Sequence, residues 1–166
     1  MASVECVLYT GDRVLLTRAS EGAAAGSLRL VGGKVREGES PLQACVREVE
    51  ARTGLRIIPS CAGLFFVASP GHIADYGLAF VAEASALAET ADPALEWLAL
   101  SELATRTDLT PADRDLIPRL LATDHPLAIV LAPDLETDPA TRHVVAVSAM
   151  DAARLSPLVF AVLPES

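Results

Sequence analysis

The stretch Gly32 to Leu55, GGKVREGESPLQACVREVEARTGL, decides how this chain of 166 residues is read. It opens on a glycine turn and then carries a full set of helix end signals. Ser40 is an N-cap residue, Pro41 suits the first helical position, Gln43 closes a Ser-x-x-Gln capping box, and Gly54 supplies a left-handed stop. The spacing predicts a helix over Pro41–Thr53. Leu42, Val46 and Val49 recur at i, i+4 and i+7 and are expected to face the core, which puts Cys45, Glu48, Ala51 and Arg52 on the other side.

Outward from this helix, residues 4–9 and 13–17 are apolar-rich runs joined by Thr10-Gly11-Asp12, a hairpin signal. A Gly/Ala loop over 21–27 leads into LRLVGGKV, a short strand that enters the glycine turn. Downstream, 56–58, 63–68 and 77–84 are β-prone, with a polar loop at 69–76 holding His72, Asp75 and Tyr76. Residues 96–98 are extended, 101–105 form a helical turn, and Thr110-Pro111 opens an amphipathic helix to about residue 122. Beyond Pro126 the pattern changes to β-prone runs at 127–132, 143–147 and 158–163, with a helical piece near 150–155. The expected organisation is a domain over 1–124 and a C-terminal extension, 125–166, packed on it or continuing it.

Hydrophobic residues make up 51% of the chain and aromatic residues 4%, so the core is built from Ala, Val, Leu and Ile. A net charge of −9 repels a phosphate backbone, and nucleic acid is not expected as a partner. No apolar run approaches the roughly 20 residues that cross a bilayer, so no membrane span is expected. The N-terminus has no basic region followed by an apolar run, which makes a cytoplasmic location the expectation. Cys6, Cys45 and Cys61 lack metal or disulfide spacing and are read as ordinary thiols. Cys45 shares the expected face of Glu48 and Arg52, and burial in the helix packing outweighs a nucleophilic role for it.

The strands, glycine turn, capped helix and Arg-Glu-Val together resemble the Nudix family, whose signature is GX5EX7REUXEEXGU, with U aliphatic. Gly33, Glu39, Arg47-Glu48-Val49 and Gly54-Leu55 fall in its register, and Gly32 precedes it. WLALSEL, from Trp97, resembles a further family segment, so the likeness extends over residues 3–122. The resemblance implies an α/β (α+β) fold: an α/β/α sandwich around a mixed sheet, here with a small β-containing extension. It also implies hydrolysis of a diphosphate with Mg or Mn, and an ion pair between Glu39 and Arg47 that orients the glycine loop against the helix. By analogy it allows a homodimer.

A diphosphate carries several negative charges, so water attacks it when divalent cations neutralise its oxygens. Magnesium takes oxygen ligands, and carboxylates at i, i+3 and i+4 on one helix face supply them together. The family uses the Glu of Arg-Glu and the two Glu of Glu-Glu. This chain keeps Glu48 but has Ala51 and Arg52 at the next two positions, and Arg36 stands where the family often has Glu. Metal binding through Glu48 is therefore expected to be weakened. Arg36, Arg52 and Lys34 are candidates for holding an anionic substrate, and Glu48, His72, Asp75 and Tyr76 for acid-base work. Glu89, Asp92 and Glu96 occupy a region where the family often places another carboxylate.

Three functions follow. The first is a divergent hydrolase of a nucleoside diphosphate-linked or other diphosphate small molecule. The second is a metal-independent enzyme of small-molecule metabolism on the same fold, and the third a non-catalytic ligand-binding or interaction module.

Overall fold

The computed structural model describes residues 2–20, 25–69, 71–85, 92–134 and 138–150, with the backbone alone at 134 and 138–141. The α/β/α sandwich with a mixed sheet expected from the sequence is the observed architecture. The strands are β1 (Ser3–Thr10), β2 (Arg13–Arg18), β3 (Leu28–Arg29), β4 (Val31–Lys34), β5 (Ser60–Ser69), β6 (His72–Glu83), β7 (Leu95–Ala99), β8 (Leu127–Asp134) and β9 (Asp138–Ala149). The helices are α1 (Pro41–Thr53) and α2 (Pro111–Ala122). The main path of the sheet is β3-β2-β1-β6-β5-β8-β9, with β4 paired to β1 and β7 to β2. β1 runs parallel to β6 and β5 parallel to β8, while the remaining pairs are antiparallel. β8 and β9 thus extend the same sheet beyond α2.

Alternation along β1 sends Val4, Cys6 and Leu8 into the core under α1, with Val31, Ala44, Cys45 and Val49. Val7 turns to the opposite face and packs with Leu116, Ile117 and Leu120 of α2. Among the described residues, no helix is long and apolar enough to cross a membrane.

The predicted ends of α1 are those observed: the capping box of Ser40 and Gln43 is formed, and Gly54 has φ 71°. Its buried face is different from the expected one. Ala44, Cys45 and Val49 are buried, whereas Leu42 is 49% exposed. Small residues let the helix sit close to the sheet, so the face with the least bulk turns inward and Leu42 is left outside.

Two further expectations are corrected. Residues 56–58 are not a strand; Ile57 is buried and Ile58 is 94% exposed as the chain crosses to β5. The loop expected at 69–76 is mostly strand: β5 and β6 pair as far as Ser69 with His72, so the polar residues extend a hairpin. The strand expected at 158–163 and most of the helical piece at 150–155 lie outside the described residues, as does part of the loop at 21–27.

Candidate functional site

The register of β1 with β4 sets Val4 opposite Gly33 and Glu5 opposite Gly32. Paired residues share a face, so these two pairs look to opposite sides of the sheet. On the α1 side, a Cβ at Gly33 would collide with the carboxylate of Glu48 where it now stands, and glycine leaves room for it. Glu48 therefore points inward at β4, with its side chain 17% exposed, not outward as the sequence suggested.

Arg47 closes the site. Its Nε donates to Glu39 Oε1 at 2.6 Å, one Nη donates to Glu39 Oε2 at 2.9 Å and to the Lys34 carbonyl at 3.0 Å, and the other Nη donates to Glu48 Oε1. Glu39 Oε2 also accepts from the Arg36 backbone N–H at 2.9 Å. The hydrogen bonds from Arg47, then that from Arg36, hold the Glu39 carboxyl down to about 2. The bond to Glu39, with that to Glu48, raises the pKa of Arg47 further above its ordinary value. Arg52, one turn beyond Glu48, brings its Nε to 3.7 Å from Glu48 Oε2.

Both oxygens of Glu48 thus face guanidinium groups. Ala51 contributes no ligand, and among the described residues no three His, Cys, Asp or Glu side chains are grouped to hold a cation. This donor set does not fit a divalent ion. Arg36 is exposed at the mouth of the loop, and Cys45 is buried in the cluster that holds Cys6.

The α2 side holds a cavity of about 270 Å³. Glu5, Arg29, Lys34, Asp75 and Arg142 bring charge to its wall, and Gly32 and Gly33 form part of its floor. Lys34 Nζ donates to Asp75 Oδ2 at 2.8 Å. Burial pushes the Asp75 carboxyl up, and the bonds from Lys34 and the Tyr76 backbone N–H outweigh it, leaving a net downward shift. Glu5 behaves oppositely: burial first, then the nearby Asp113, raises its pKa to about 7. Asp113, capped by Thr110 at 2.8 Å in the first turn of α2, is raised to about 6 chiefly by burial.

Of the three candidates at 69–76, only Asp75 lines this cavity; His72 and Tyr76 stand exposed on β6 outside it. Glu96 is engaged by Arg106 at 2.6 Å and Arg18 at 3.0 Å, Asp92 accepts from the Ala94 N–H, and Glu89 lies outside the described residues. Sequence reading passed over Glu5, Arg29, Asp113 and Arg142. For Glu5 a signal was available, since it is the lone charge in the apolar run SVECVLYT.

A family model for the NUDIX domain matches residues 1–120. No curated protein matches the chain. Among solved structures, a MutT protein from Bacillus halodurans is 22% identical with a TM-score of 0.64, over 89% of this chain and 95% of that one. The NUDIX domain of Shewanella oneidensis NrtR, solved with ADP ribose, is 21% identical with a TM-score of 0.60, over 72% of this chain and 84% of that one. S. oneidensis NrtR complexed with a 27mer DNA is 19% identical with a TM-score of 0.62, over 72% of this chain and 59% of that one. These likenesses show a common fold. They also overturn the exclusion of nucleic acid, because a protein of this fold is found on DNA. Net charge is a whole-chain sum and does not describe any single face, so −9 was no ground for that exclusion.

Proposed function

The chain belongs to the Nudix family, and from that premise we propose a divergent member that binds a diphosphate-linked small molecule while its metal-assisted hydrolysis is weakened. The observation that carries this reading is the engagement of Glu48 by Arg47 and Arg52 across from Gly33. A fixed guanidinium beside a carboxylate supplies positive charge where a cation would, but it cannot polarise water as a metal does.

In this reading Arg36 and Arg52 face an incoming phosphate from the loop and the helix, and Lys34 does so once it leaves Asp75. Guanidinium groups suit phosphate oxygens because they donate in pairs. Arg47 has a different task, holding the glycine loop, Glu39 and Glu48 in one arrangement. ADP ribose on the NUDIX domain of NrtR supports a nucleoside-diphosphate type of ligand for this fold. A metal-independent enzyme using Glu48, His72, Asp75 or Tyr76 as acid-base groups is less favoured, since of the four only Asp75 lines this cavity, where Lys34 holds it, and Glu48 is held by Arg47 and Arg52.

Calorimetric titration with Mn²⁺ tests the reading. Wild type is expected to show no saturable site up to millimolar metal, and a variant carrying Ala51→Glu with Arg52→Glu is expected to gain one. Tight binding by wild type that disappears in Glu48→Gln would overturn it.

A further inference from the structure

The cavity on the α2 side is lined by charged side chains. Glu5, Arg29 and Arg142 line it, and among the described residues none of the three side chains makes a hydrogen bond or ion pair. Among the described residues none of their polar atoms is buried without a partner, so solvent in the cavity meets them in the free protein and a ligand can take its place. Glu5 is the most telling of them. Its neighbours on β1, Val4, Cys6 and Val7, are fully buried and apolar, and an apolar residue at position 5 would continue that pattern.

We propose that Glu5 determines specificity for the non-phosphate end of the ligand: its ionised carboxylate accepts hydrogen bonds from an N–H-bearing edge, such as an amide, amidine or aminated heterocycle. Arg29 and Arg142, whose charges also act on Glu5, hold acceptor atoms of the same group. The inference rests on the proposed diphosphate ligand and names what that ligand carries at its other end. Lys34, which lines this cavity and leads into the loop that carries Arg36, is where the two ends of one such molecule, an aminated purine nucleotide, meet.

The surroundings make the acceptor pH-dependent. Asp113 from α2 and Asp75 from β6 oppose ionisation of Glu5, and Arg29 from β3 and Arg142 from β9 favour it. Lys34 of β4, on the same cavity wall, is paired with Asp75. Glu5 therefore changes charge near neutrality, and the acceptor is fully formed only above that range.

The test is calorimetric titration of wild type and Glu5→Gln with ADP and with inorganic pyrophosphate, at pH 8 and pH 6. Glu5→Ala is run in parallel in case glutamine packs poorly. At pH 8 the Glu5 variants should bind ADP about tenfold more weakly than wild type, the scale of one charge-assisted hydrogen bond, with pyrophosphate unchanged. At pH 6 the difference for ADP should shrink toward unity. Equal ADP affinity for wild type and both variants overturns the role of Glu5 and leaves the diphosphate reading standing. Loss of pyrophosphate binding in parallel with ADP also overturns it, because Glu5 would then support the whole site. If neither ligand binds wild type, the diphosphate reading falls and the inference with it.

Discussion

The two faces of β4 treat charge in opposite ways. Toward α1, Glu39, Arg47, Glu48 and Arg52 close on one another, so each carboxylate has a guanidinium and the arrangement is internally satisfied. Toward α2, Glu5, Arg29 and Arg142 surround a cavity without satisfying each other. The frame of a motif and its chemistry are therefore separable. Here the frame persists on one face as an ion-pair lock, and on the other Glu5, Arg29 and Arg142 keep bonding capacity for a ligand.

The largest expected effect tests whether the two glycines serve the two faces differently. A Cβ at Gly32 would strike the backbone carbonyl of Val4 and come within 3.0 Å of the Glu5 Cα, so β1 and β4 must separate to admit it. At Gly33 the obstacle is the end of the Glu48 side chain, which can swing aside once its arginines yield. Gly32→Ala should cost about 3 kcal/mol or more, and Gly33→Ala roughly half of that, by urea unfolding. Equal losses would mean that Glu48 is as rigid as backbone and that the lock is a structural keystone.

How far the sequence foretold this division depends on what each residue's role requires. The limits of α1 were readable because Ser40, Gln43 and Gly54 act through bonds to nearby backbone, and local bonds follow from local sequence. The pairing of Glu39 with Arg47 came from the family frame. The buried face of α1 was misread because apolar periodicity favours Leu42, while close packing on the sheet favours Ala44 and Cys45. The cavity could not be read at all. It joins Glu5, Arg29, Asp75 and Arg142 from four strands, and only sheet order and register bring them together.

A middle-sized effect follows from the cost of keeping Glu5. Its folded pKa of about 7 lies above the ordinary 4.5. A carboxyl raised in this way contributes its full stability below about 4.5, where it is protonated in both states, and loses that contribution as pH rises through 7. Glu5→Gln has no charge to acquire. Its Tm should exceed that of wild type at pH 8, by an amount corresponding to about 1–3 kcal/mol, and match it at pH 4. A variant less stable than wild type at pH 8 would show that Glu5 is satisfied within the fold, and the contrast between the two faces would disappear.

The smallest effect is expected from Arg52→Ala, and its smallness sharpens the comparison. The pair with Glu48 spans 3.7 Å, and the Arg52 side chain is 39% exposed, so solvent screens much of the attraction. Its removal should cost less than about 1 kcal/mol, partly offset by the better helix propensity of alanine. Arg47 continues to hold the other oxygen of Glu48 and both of Glu39, so the lock survives. Freeing one oxygen adds no ligand, and Mn²⁺ affinity should stay as low as in wild type. If Arg52→Ala alone created a saturable Mn²⁺ site, the obstacle to metal would be the arginine's charge, and the missing carboxylates would matter little.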